Sequence, residues 1–166
     1  MDLKTYLIAE LNKNVGFVNH TLGDFTDADL FVRPCPGANN AAWQLGHLVS
    51  AEASVVKNLA PALAVALPEG FNEKYNKEAS KLDGAAAFAP FNSKARLLEL
   101  FGKVRGGTVA WVSSLSNEQL DSPSPEKYQA WATTLGSLVS GQIGHTMMHI
   151  GQFQVIRRKL GKPVLF

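Results

Sequence analysis

Two histidines one helical turn apart, His145 and His149, sit in a run between Lys127 and Arg157 that contains no Asp, Glu, Lys or Arg. Along and just beyond it, Leu138, Gln142, His145, His149, Gln152, Ile156 and Leu160 recur at steps of three and four, which puts them on one face of an α-helix. Polar groups therefore occupy a stripe where apolar ones are expected. Burying imidazoles and carboxamides there costs free energy unless each finds a partner, and a cation is a partner that two imidazoles can share. The i, i+4 spacing allows that sharing. A second charge-free run, Pro34 to Ala51, places Trp43 and His47 one turn apart. Three imidazoles suffice for an open metal site, with at least one position left for water or substrate.

The elements that must position these residues follow from composition and periodicity. At 166 residues the chain suits one domain, residues 1–166, with a sizeable core. A net charge of +2 with 18% charged residues gives no strong field, so neither nucleic acid nor an anionic membrane is expected as a partner. Arg157, Arg158, Lys159 and Lys162 cluster at the end of the last helix, where cations complement the helix dipole. The single cysteine, Cys35, excludes an intrachain disulfide. With no signal-peptide pattern at the start, the expected address is cytoplasmic. The long uncharged run is rich in Gly, Gln, His, Ser and Thr, which reads as a helix buried in protein rather than in lipid.

A first helix is predicted from about Asp2 to His20, on the repeat Leu3, Leu7, Leu11, Asn14, Val18, Leu22, with Gly23 and Asp24 as the stop. Arg33 to Asn40 reads as a loop, and either Asn39 or Asn40 can cap a second helix that carries His47 and fades between Asn58 and Pro61. Residues 62–90 form a long, weakly periodic connection, functional or partly structured. Ser93 can cap a third helix weakened by Gly106 and Gly107 and ending at Ser116-Asn117. Thr133 or Thr134 caps the fourth, which ends at Gly161 with Pro163 beyond. With no competing strand pattern, the fold class is all-α: a four-helix bundle with long crossover connections, whose core is a usual place for metal ligands. A second stripe on the fourth helix, Ser137, Gly141, Gly144 and Gly151, would let a neighbouring backbone approach, either within the bundle or from a second subunit, so a homodimer is an open expectation.

A lone core histidine would be read as a neutral residue bonded to backbone or carboxamide; two at chelating spacing with a third on another charge-poor helix favour a divalent metal. Zinc or nickel fits best, and iron or manganese is compatible. Gln142 and Gln152, one turn either side of the pair, are placed to orient a ligand or fix a histidine tautomer. Trp43 is a core anchor or the wall of a pocket above the ion. His20 belongs to the end of the first helix, and Cys35 has no visible activating base. No acidic residue lies in the fourth helix, and Glu52 points away from His47, so a bound ion must itself activate a water or a thiol, or a loop must contribute.

Four segments resemble the DinB superfamily, the group of DNA-damage-inducible and YfiT-like proteins: Arg33-Pro34-Cys35-Pro36-Gly37, Trp43-Gln44-Leu45-Gly46-His47-Leu48, His145-Thr146-Met147-Met148-His149-Ile150-Gly151-Gln152, and Arg157-Arg158-Lys159-Leu160-Gly161-Lys162-Pro163. The resemblance implies a four-helix bundle, often dimeric, with His47, His145 and His149 as ligands of one divalent metal. It does not imply DNA binding. Relatives include bacillithiol-dependent S-transferases, mycothiol-dependent isomerases, and metal-dependent hydrolases without a known substrate. The resulting expectation is a metalloenzyme acting on a small-molecule substrate, most simply S-transfer from a low-molecular-weight thiol cosubstrate, with hydrolysis as the other route. The alternative is a non-catalytic, metal-binding, stress-related interaction protein; a bundle without metal ranks last.

Overall fold

The structure is a computed structural model describing residues 2–165; Met1 and Phe166, the ends of the expected domain, lie outside the described residues. The first helix, α1 (Leu3–Leu22), starts where the Asp2 carboxylate accepts the Thr5 N–H at 3.0 Å, and buries Leu7, Leu11, Asn14, Val18 and Leu22. It runs two residues past His20, because Gly23 rather than the histidine ends the regular bonding. Of the two candidate caps of α2 (Ala41–Leu59), Asn40 is the one used: its Oδ1 accepts the Trp43 N–H at 2.8 Å. The short helices α3 (Phe71–Tyr75) and α4 (Gly84–Ala87) follow, then α5 (Lys94–Ser114), the short α6 (Asn117–Leu120) and α7 (Glu126–Gln129), and finally α8 (Leu135–Lys159). Thr134 opens α8 with a capping box completed by Ser137. Among the described residues the only β pairing is an isolated Pro123–Thr134 bridge.

The four long helices form the bundle. α2 packs mainly on α5, and α1 on α8 and α5, whereas α2 and α8, the helices that carry the histidines, meet over a shorter stretch. Among the described residues no helix is long and apolar enough to cross a membrane.

Several sequence expectations are refined by packing. Ser93 occupies the cap position of α5 but its side chain makes no capping bond; Asp27 does the work, its Oδ1 accepting the Lys94 N–H at 2.7 Å. Gly106 and Gly107 do not interrupt α5. At Gly107 a Cβ would stand 2.8 Å from the Leu63 carbonyl oxygen, so the small residue admits the turn that follows α2. Arg157 is more than a partner for the helix dipole. It is 1% exposed, ion-paired with Asp24, and donates to the carbonyl oxygens of Thr21 (2.8 Å) and Pro163 (3.0 Å), tying the last turn of α8 to the end of α1.

The small-residue stripe of α8 is not filled by a helix backbone of this chain. The Trp131 ring covers Gly141, where a Cβ would stand 2.6 Å from its Cζ3, while Gly144 and Gly151 have nothing within 4 Å of that position. The close approach occurs instead at Gly46 of α2, against which the Tyr75 ring lies so tightly that a Cβ would stand 2.2 Å from it. Tyr75 is held there by donating its hydroxyl to the Phe91 carbonyl at 2.7 Å. The connection of residues 62–90 is thus anchored to the bundle, with Phe71, Tyr75 and Phe88 fully buried. Gly46→Ala forces the Tyr75 ring off α2, and we expect a loss of about 1–3 kcal/mol of unfolding free energy. Urea denaturation of the metal-free protein measures it; an unchanged midpoint would contradict the packing.

Candidate metal centre

Three side chains from two helices converge in the seam of the bundle. His47 of α2 and His145 and His149 of α8 each offer a ring nitrogen, and these nitrogens lie within 4.8 Å of one another. His149 is buried and the other two are half-buried. The Nε2 atoms of His145 and His149 are 3.2 Å apart. Two nitrogens bound at 2.0–2.1 Å to one tetrahedral ion stand about 3.3 Å apart, so this pair is already at chelating separation.

The protonation pattern follows from the neighbours. Nδ1 of His149 faces Oε1 of Gln44 at 3.0 Å and Oε1 of Gln152 at 2.9 Å. The orientation of the Gln44 amide is fixed independently, because its Nε2 donates to the Asn39 carbonyl at 2.8 Å. A carbonyl oxygen can only accept, so the amide oxygen must face the ring and Nδ1 must carry the proton. The lone pair of His149 then sits on Nε2, aimed at His145. His47 lies face to face with Trp43, ring centroids 4.8 Å apart and planes 6° from parallel, and the indole Nε1 donates to the Asn76 carbonyl at 2.9 Å. The Tyr75 backbone lies near enough to the His47 ring to favour its protonated form, against the effect of burial. Each of these contacts leaves a histidine less freedom to turn.

Burial disfavours a charged ring at all three positions. It is the main cause that pushes His145 and His149 down to about 4; the charge of His47 adds to it at His145, and those of His145 and His47 at His149, where the Gln152 contact partly opposes. His47 is lowered by burial as well, with the Tyr75 backbone contact opposing. At neutral pH the cluster is a set of three uncharged nitrogen donors, which is the donor set that a borderline divalent cation takes. Among the described residues no Asp, Glu or Cys joins this cluster.

The sequence-derived candidates are distributed as follows. His47, His145 and His149 come together, Trp43 is a wall against His47, and Gln152 bonds His149. Gln142 is buried one turn before His145, and its carbonyl accepts the Thr146 hydroxyl at 3.0 Å. His20 stays exposed in the last turn of α1. Glu52 does turn away from the histidines and is ion-paired with Arg105. Gln44 was visible only as part of a motif, although a buried carboxamide three residues before a histidine in a charge-free run is itself a signal for a tautomer-fixing partner. The contribution of Asn39 is through its backbone carbonyl, which side-chain spacing does not reveal.

A cleft of about 940 Å³ runs between α2 and the segment after it, lined among others by His47, Ser50, Ser54, Lys57, Phe71 and Tyr75. It reaches the cluster through His47. A smaller hollow of about 350 Å³ is lined by Cys35, Gln44, Gln152 and Val155 with the Pro34 to Asn39 loop.

The chain belongs to the DinB superfamily, whose family profile matches residues 17–153. Two solved structures share the fold. A conserved protein from Enterococcus faecalis is 19% identical and aligns over 98% of this chain and 99% of its own length with a TM-score of 0.68. YfiT from Bacillus subtilis, described as a probable metal-dependent hydrolase with an unusual four-helix bundle topology, is 17% identical over 96% of this chain and 89% of its own, with a TM-score of 0.62. No curated protein matches the sequence.

The histidines also set a pH dependence. Their folded pKa values lie below the ordinary 6.5, so between about 6.5 and about 4 the unfolded chain binds protons that the folded chain does not. Stability of the metal-free protein is therefore complete above that window and declines as pH falls through it. We expect His145→Asn/His149→Asn to lose less stability than the native chain across the same interval, read from urea midpoints at pH 7 and pH 4.5. Parallel losses in the two proteins would contradict the buried neutral assignment.

Proposed function

We propose that His47, His145 and His149 bind one divalent metal, zinc or nickel before iron or manganese, and that the chain uses it to activate a thiol or water toward a small-molecule substrate. The observation that carries this reading is the His145–His149 Nε2 separation of 3.2 Å with the His149 proton held on Nδ1. A divalent ion held by neutral nitrogens keeps its full charge and lowers the pKa of a water or thiol that it binds. The chain's own residues supply orientation. Gln44 and Gln152 hold His149, and the Trp43 ring stacks on His47.

S-transfer from a low-molecular-weight thiol to a small electrophile is favoured over hydrolysis. Glu52, the acid of α2, is committed to Arg105, so among the described residues the cluster has no carboxylate to receive a proton from water. A thiol, with an ordinary pKa near 8.5, needs far less help to ionise than water. A carbon–sulfur bond then forms as the electrophile's leaving group departs with its bonding pair, and the thiol proton passes to solvent. The hydrolytic route is favoured instead by the description of YfiT.

His149→Ala should lose both metal, read by element analysis of untagged protein, and turnover, while far-UV circular dichroism stays native. A variant with full metal content would refute the ligand assignment. Metal-loaded native protein incubated with small thiols and electrophilic acceptors, and separately with ester and amide substrates, distinguishes the routes. Absence of turnover in every combination would leave the non-catalytic metal-binding role.

A further inference from the structure

We propose that the buried Glu52–Arg105 pair is a positioning device for the histidine centre: Arg105, on a helix that carries no histidine, fixes the spacing between the two helices that do. This rests on the metal-binding reading above.

Arg105 of α5 is 1% exposed, and its guanidinium reaches three other helices. Its Nε lies 2.7 Å from Glu52 Oε1, and its Nη2 donates to Glu52 Oε2 at 2.8 Å, both on α2. The same Nη2 donates to Thr146 Oγ1 of α8 at 2.8 Å, and Nη1 donates to the Leu11 carbonyl of α1 at 3.1 Å. Thr108 of α5 closes the arrangement by donating to Glu52 Oε1 at 2.6 Å. Glu52 lies five residues after His47, about 7.5 Å along α2. Thr146 is the immediate neighbour of His145 and three residues before His149.

Stability alone is a poor explanation. Replacing a buried ion pair by apolar groups of similar volume is often neutral or stabilising, because desolvating two charges costs about as much as their attraction returns. What an ion pair provides and an apolar cluster does not is direction. A planar guanidinium with bonds to Glu52 and Thr146 admits one separation of α2 and α8, whereas alkyl groups tolerate sliding. That separation matters because α2 and α8 share only a short stretch of direct contact, and His47 must stand in register with the histidines of α8.

Two variants test this by cobalt titration, followed by visible absorption and chelator competition, with thermal melting in parallel. Thr146→Val keeps the shape but removes the side-chain hydrogen bond that Arg105 makes to α8, and Glu52→Met/Arg105→Met removes both charges together. Expected are folded proteins with a melting temperature at or above native for the double variant, an affinity for cobalt lowered about tenfold or more in both, and an altered visible spectrum. Thr146→Ser, which retains the hydroxyl, should restore native affinity and spectrum. Native cobalt affinity and spectrum in both Thr146→Val and the double variant would overturn the positioning role alone. If either variant fails to fold, the other carries the same decision, and Thr146→Ser binding as weakly as Thr146→Val would also overturn it. Native protein that takes up no cobalt would overturn the metal reading and this inference together.

Discussion

An imidazole can offer a lone pair in a chosen direction only when its other nitrogen is committed elsewhere. In this protein the commitment is a relay of hydrogen bonds that begins in the loop before α2: the Asn39 carbonyl holds the Gln44 amide, and the Gln44 oxygen holds the Nδ1 proton of His149. The loop is in turn clamped by Arg33, which donates to the carbonyls of Ala38, Ser80 and Leu82 and pairs with Asp83. Without that relay, the Nδ1 proton of His149 would rest on the Gln152 contact alone, and the ring would be less firmly held in the tautomer that aims its lone pair at His145. The centre therefore depends on two segments far apart in sequence being fastened to each other before any ligand is considered.

The same logic explains why the site is uncharged. A low-dielectric seam penalises the imidazolium, so burial keeps the rings neutral where solvent would leave them half-protonated near pH 6.5. The folded state thereby holds three basic nitrogens close together without paying for like-charge repulsion. Carboxamides are suited to this surrounding, since they accept and donate without adding charge that would have to be balanced elsewhere.

How much of this was legible in the sequence depended on whether the signal was local. Helix periodicity is local, and the four long helices, a cap at Asn39 or Asn40, a cap at Thr133 or Thr134 and the stop at Gly161 follow from residues within one or two turns of each other, the structure choosing Asn40 and Thr134. The pair His145 and His149 is local for the same reason, and His47 was found because it lies in the other charge-free run, Pro34 to Ala51. The partners missed are those set by tertiary packing. Arg105 and Glu52 lie 53 residues apart and each looks like an ordinary surface charge on its own helix; only the packing of α2 on α5 makes them a buried pair. Asp27 replacing Ser93 as the cap of α5, and Arg157 reaching back to Asp24, are of the same kind. Backbone groups such as the Asn39 carbonyl carry no residue signature at all.

The seating of Tyr75 against Gly46 divides the crossover after α2 into two parts with different freedom. From Phe71 onward the chain is pinned by buried aromatic rings, and the Tyr75 ring sits against Gly46, the immediate neighbour of His47, so changes there reach the histidines directly. The stretch from Pro61 to Gly70 has no fully buried residue, yet it supplies much of one wall of the cleft. Insertions or deletions in that decapeptide can therefore resculpt the chamber while the nitrogen cluster keeps its shape, which makes it the natural target for redesigning what the protein admits.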